Sequence, residues 1–293
     1  MIPSPRLLLS ALIGSVLLTG LFAQAPAPKL AFPDASPAAT IKQRVGVTDI
    51  EISYNRPGMK GRTVFGGLVP YGEVWRTGAN TATKITFSTE VKLNGTAVPA
   101  GTYELFTIPG QSEWTVIVHK NMSQWGSYAY DAKNDVARVT AKPTASTNAM
   151  ETLSLGFSDL HNESAMLNLS WEKTRVSVKV EVDVVGQLVP QIEAVMASAE
   201  AKKPYFASAM FYYDNNLDLK KAAAWMDTAI AERPNQMWMI YRKGLILAKM
   251  GDKAGALAAA QQSLDLVKND AKSPASLKDE YARLNHALIA SLK

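Results

Sequence analysis

The chain has 293 residues, of which 47% are hydrophobic and 19% charged, with a formal net charge of +5. That composition excludes wholesale disorder and is enough for one large core or two modest ones. The chain contains no cysteine, which excludes disulfides, thiolate metal sites, a cysteine nucleophile and a lipoprotein anchor.

Lys42, Arg44, Arg56, Lys60 and Arg62 are close in sequence, but acidic residues soon return. Nucleic-acid binding needs a one-sided basic face, so no nucleic-acid partner is expected. At the N-terminus, Arg6 precedes an apolar run from Leu7 to Phe22. Ala23-Gln24-Ala25 then puts small residues at the two positions a signal peptidase reads. Residues 1–25 therefore read as a signal peptide, cleaved near Ala25 to release a periplasmic or secreted protein. The alternative is an uncleaved anchor, for which the run is a little short. Residues 26–38 are rich in proline and alanine and read as an extended leader.

Residues 39–185 carry β signals. Ala39 to Tyr54 reads as two strands around Gly46. Lys84 to Leu93 alternates through Ile85, Phe87, Val91 and Leu93, and Asn94-Gly95 signals a tight hairpin. Further strands are predicted at 102–108, 114–119, 136–141, 151–157, 165–171 and 176–184. The strand at 114–119 is apolar on both faces and reads as central. Some nine or ten short strands without intervening helices predict an antiparallel β-sandwich.

From 186 to 293 the period becomes helical. Pro190 suits a first helical turn, and Ser273 suits an N-cap before a last helix. Asp218 and Asp252 stand about 34 residues apart, and Ala222 and Ala224 align with Ala256 and Ala258. Tyr213, Ala222, Ala229 and Pro234 fall where a tetratricopeptide repeat places an aromatic, two alanines and a proline. Lys243, Ser263 and Lys268 depart from that pattern. The half resembles a short tetratricopeptide-like α-helical repeat, expected to lean on the β-domain because two repeats bury little core.

Two stretches carry a second resemblance. They are YNRPGMKGRTVFGGLVPYGEVWRTGANTAT at 54–83 and LNGTAVPAGTYELFTIPGQSEWTVIVHK at 93–120. With them, Ser36 to Val184 resembles the bacterial family called domain of unknown function 2911. The resemblance implies exported β-rich proteins, some with a helical tail, and supplies no established activity or site. The family pattern generally continues the GAN motif with an acidic residue; here Thr81 stands instead.

The candidate ligand-binding residues lie mostly in that first stretch. Arg56, Lys60, Arg62 and Arg76 offer donors for carboxylates, phosphates or vicinal hydroxyls, or else tie loop carbonyls and acids to the sandwich. Asn80 either donates to a ligand or caps a turn. Tyr71, Trp75, Trp125 and Tyr128, with Tyr130, either stack on sugar rings or cover the ends of the core. His119, ending a strand, is a candidate base or a structural residue. No histidine spacing suits a metal, and no phosphate-binding or dinucleotide motif occurs, so no metal or cofactor is expected. No catalytic residue is assigned. The expected function is a non-catalytic envelope binding or scaffold module. Its β-domain would take a small polar or saccharide ligand and its repeats a protein partner. The alternatives are a glycan-active hydrolase using Glu73, Asp131 or Asp135, and a purely structural role.

Overall fold

The computed structural model describes residues 32–120 and 123–293. The expected signal peptide and the expected leader as far as residue 31 lie outside the described residues. Ser36–Lys293 forms one compact unit. Among the described residues, no helix is long and apolar enough to cross a membrane.

Ten strands build two antiparallel sheets. They are β1 (Ala38–Val45), β2 (Thr48–Asn55), β3 (Thr83–Phe87), β4 (Val91–Leu93), β5 (Thr96–Val98), β6 (Gly101–Ile108), β7 (Trp114–Lys120), β8 (Asp135–Ala141), β9 (Thr144–Ser158) and β10 (Ser164–Val182). One sheet has the order β1-β2-β3-β6-β7-β8 and the other β5-β4-β10-β9. The inner faces follow the two-residue period of a strand. Ile50, Ile52 and Tyr54 on β2 and Trp114, Val116 and Val118 on β7 face Leu153 and Leu155 on β9 and the valines of β10, in one core. The fold is the expected sandwich, with no closed barrel. Asn94 and Gly95, at φ 44° and 83°, make the expected hairpin between β4 and β5.

Two details differ from the sequence expectation. The run from Lys84 to Leu93 does not stay in one sheet: β3 pairs with β2 and β6, whereas β4 crosses to pair with β10. The strands expected at 165–171 and 176–184 are one strand. Its buried apolar residues are odd-numbered from Ala165 to Trp171 and even-numbered from Val176 to Val182. The change of parity occurs at register shifts flanking Glu172, whose φ is 55°. A bulge inserts extra residue on one strand and so moves the next side chains to the other face without ending the strand.

Six helices follow: α1 (Val184–Ala197), α2 (Tyr205–Asp214), α3 (Leu219–Glu232), α4 (Met237–Lys249), α5 (Lys253–Asn269) and α6 (Ala275–Ser291). Helix α1 starts well before Pro190, because the Asp183 side chain accepts from the Gly186 N–H and caps it there. Pro190 thus sits inside the helix rather than in its first turn. Gly46, at φ 56°, lets the β1–β2 turn press on this start, since a Cβ there would meet the Val184 side chain at 2.3 Å. Asp218 and Asp252 cap α3 and α5, which gives the sequence period a physical meaning. Ser273 does not cap α6; Pro274 occupies that position without a side-chain bond. The helices lean on the sandwich through Leu188 and Phe211, which pack against its core.

Glu193 knits the first three helices, accepting from the Tyr212 hydroxyl and from Lys221 Nζ. Burial first, and the Glu193 carboxylate second, push the Tyr212 phenol up to about 12. A phenol whose folded pKa is raised stabilises the fold fully below its unfolded value, about 10, and loses that contribution as pH rises through the folded one. Helical thermal stability, followed by circular dichroism, is expected to fall between pH 10 and 12, and Tyr212→Phe to flatten part of that fall. Solvent screening at Glu193 keeps the loss below the roughly 3 kcal/mol that two pKa units represent.

Candidate functional site

The irregular segment between β2 and β3 is fastened at its start. Gly58 bridges to Thr152, Met59 N donates to Glu151 O at 2.8 Å, and Leu153 N donates to Pro57 O at 3.0 Å. Arg56 lies along this seam, its Nε donating to Leu153 O at 2.9 Å and a terminal nitrogen reaching Thr152 Oγ1 at 3.4 Å. Lys60, at φ 48°, donates its backbone N–H to the Glu151 carboxylate. The Tyr71 ring lies over Gly66, where a Cβ would sit 2.7 Å from it. These three residues hold the segment down.

Further on, the segment turns inward. Phe65 packs edge-on against Trp114, with ring centroids 4.8 Å apart, and touches Trp75 and Trp171. Trp75 stacks on Trp171 at 5.9 Å and donates its indole N–H to Gly78 O at 3.0 Å. Its backbone exchanges two hydrogen bonds with Thr107 on β6. An open pocket of about 430 Å³ results, whose walls include Arg62, Glu73, Trp75, Arg76, Tyr128 and Trp171.

Arg76 is the unusual group. It is half-buried, its Nε is fully buried, and that nitrogen has no hydrogen-bond partner among the described residues. A buried donor without an acceptor is costly, and a charged one more so. Arg62, by contrast, donates from two nitrogens to the carbonyls of Met59 and Gly58, at 2.9 and 2.8 Å. The residue after Arg76 is strained: Thr77 is fully buried at φ 56°, a region β-branched residues avoid. Its hydroxyl donates to Thr107 Oγ1 at 3.2 Å and its carbonyl accepts from Thr83 Oγ1 at 2.9 Å. Strain of this kind persists where neighbours over-determine it.

The second aromatic segment is hung over the outer face of the six-stranded sheet; Asn121 and Met122 within it lie outside the described residues. Gly126 N donates to Asn80 O at 3.1 Å, and Ala82 N to Gln124 O at 3.0 Å. Asn80, at φ 60°, therefore serves as an attachment point and does not line the pocket. Trp125 is 65% exposed and bridges to Thr81, outside the pocket wall. Tyr128 is 88% exposed at the pocket. His119 is fully buried elsewhere, beside Glu104. Its Nδ1 lies 2.7 Å from Lys120 O and its Nε2 3.2 Å from Asp131 O, so both ring nitrogens are taken up by backbone carbonyls.

Of the residues singled out from sequence, the fold gathers Arg62, Trp75, Arg76 and Tyr128 at one pocket. It leaves Arg56, Lys60, Tyr71, Asn80, His119 and Trp125 outside it. Sequence reasoning missed Trp171, which reads there only as a strand residue; nothing in its spacing marks it as a pocket wall. Glu73 lines the pocket, but Asp131 caps a 3-10 turn and Asp135 accepts from Tyr130 and Arg138. Among the described residues, no cluster of histidine and carboxylate side chains is arranged to hold a metal.

An antiparallel sandwich with a cationic, aromatic-walled pocket at the β2–β3 segment, followed by helices, is the class of protein these features define. Residues 36–180 match the family model described as "Protein of unknown function (DUF2911)", and across that region the chain belongs to this family. Comparison with curated proteins and with solved structures found no match.

Proposed function

We propose that this protein is a non-catalytic binding module of the cell envelope, taking a small polar or saccharide ligand in the Arg76 pocket. The observation that carries the reading is the unpaired, part-buried guanidinium of Arg76 on a pocket walled by Trp75 and Tyr128. A guanidinium whose Nε is shut away from water without an acceptor is a binding group awaiting one. The signal-like residues 1–25 support export to the periplasm or medium. The tetratricopeptide-like helices offer a surface for a protein partner, as stacked helix pairs commonly do. A glycan hydrolase needs two carboxylates flanking the scissile bond, and Glu73 lines this pocket without a second.

The test is a thermal-shift screen of the full chain against sugars, sugar acids, organic acids and amino acids, with Arg76→Ala as control. A ligand that raises the melting temperature of the wild type and leaves the variant unchanged is the expected result. No shift by any class would sink the reading.

A further inference from the structure

Arg76 shares its pocket with a second unpaired charge. Glu73 also lines it, and its carboxylate takes no hydrogen bond or ion pair from any described residue. Arg76 likewise makes none. The two lie in one irregular stretch, three positions apart, and do not neutralise each other. The rest of the lining mixes apolar and aromatic residues, Leu68, Val74, Trp75, Tyr128 and Trp171, with Ser36, Arg62 and Ser127. Opposite charges in one concavity, Arg76 half-buried and Glu73 exposed at its rim, present both signs to a ligand. Such a site complements a ligand that carries both signs.

Resting on the reading of this pocket as a binding site, we infer that its ligand is a zwitterion, an α-amino acid or dipeptide. Its carboxylate meets Arg76 and its ammonium meets Glu73. The side chain lies against Leu68 and Tyr128, the exposed apolar part of the lining. Other chemistries fit less well. A phosphate or sulfate satisfies Arg76 but is repelled by Glu73. A neutral sugar offers Arg76 only uncharged acceptors, which repay the desolvation of a guanidinium poorly. A bare cation satisfies Glu73 and is repelled by Arg76 and Arg62. The pocket, at about 430 Å³, has the volume for one or two residues and their hydration. Arg62 already donates to the carbonyls of Met59 and Gly58, so it offers a ligand fewer free donors than Arg76 does.

The experiment is isothermal titration of the full chain with phenylalanine, leucine, glutamate and alanyl-phenylalanine. Each is paired with its N-acetyl form, which lacks the ammonium, and its C-terminal amide, which lacks the carboxylate. At least one free zwitterion is expected to bind, and blocking either end to weaken it by about tenfold or more. Arg76→Gln is expected to bind free and amidated forms alike. Glu73→Gln is expected to bind free and acetylated forms alike. Neither side chain has a partner among the described residues, so both variants are expected to melt at or above the wild-type temperature. Equal binding of free and blocked forms overturns the zwitterion. So does the absence of binding by every free form. If a sugar or sugar acid binds instead and needs Arg76, the pocket stands and only its ligand class falls. If nothing binds, both readings fall together.

Discussion

Glu104→Ala is expected to destabilise the protein by about 3–5 kcal/mol, because it removes the acceptor at the centre of a buried polar cluster. The Glu104 carboxylate is fully buried on β6. It accepts from Gln124 N at 2.7 Å and Gln124 Nε2 at 2.9 Å, and lies 3.6 Å from His119 Nδ1. Without it, two donors of Gln124 lose their acceptor in a place water does not reach, while His119 keeps its contacts to the carbonyls of Lys120 and Asp131. The cost is that of stranding them rather than of one lost bond. Phe106, Ile117 and Ala82 form a small apolar cluster beside this group, with Tyr130 packed on it. The aromatic segment is thus held at its two ends by polar and apolar contacts together. Urea unfolding at unchanged m-value measures the loss, and hydrogen exchange over 123–131 is expected to quicken before global unfolding. A destabilisation below about 1 kcal/mol would show that the cluster is not what holds the segment down.

Trp171→Ala is the second large effect, also about 3–5 kcal/mol. Trp171 is 1% exposed, stacks on Trp75, meets Phe65 edge-on at 6.1 Å and donates its indole N–H to Glu151 O at 3.1 Å. Removing it leaves a cavity under Trp75 and takes one of two donors from the Glu151 carbonyl, which keeps Met59 N, where the β2–β3 segment is sewn to β9. Trp171→Phe keeps the ring stack and loses the indole donor, so a smaller loss is expected. Chemical denaturation of the three proteins ranks them. Trp171→Phe as damaging as Trp171→Ala would assign the effect to the hydrogen bond instead of the packing.

Much of the sandwich was legible because a half-buried strand writes its burial into alternate residues. Ile50, Ile52 and Tyr54, or Val176 to Val182, announce their faces directly. The reading failed where geometry changes without changing residue type. At Glu172 a bulge reverses the parity, and a parity reversal in sequence looks the same as a strand end. Between Phe87 and Val91 the chain leaves one sheet for the other, and local alternation carries no information on which sheet a strand joins. The site was legible only in part for a related reason. Arginines, aromatics and glycines mark the β2–β3 segment as special, but whether an arginine is spent on carbonyls, as Arg56 is, or left unpaired, as Arg76 is, depends on what β9 and β10 bring from far along the chain. Trp171 is the clearest instance, since it meets Trp75 only once the sandwich has closed.

The strand order of the smaller sheet also fixes a sequence of events in time. The β4–β5 hairpin is made early, yet its pairing partner in the sheet is β10, whose residues 180–182 join Val91–Leu93. A chain emerging from its N-terminus therefore carries an apolar hairpin without its sheet partner until residue 182 is free, its contact with β8 through Asn94 and Thr140 aside. The loop that must close is long, and long-range pairing of this kind folds slowly and exposes unpaired edges meanwhile. The sandwich cannot assemble progressively behind the ribosome or a translocation pore. It waits for its last strand, and the helices that follow Asp183 are the first part of the chain to arrive after that wait ends.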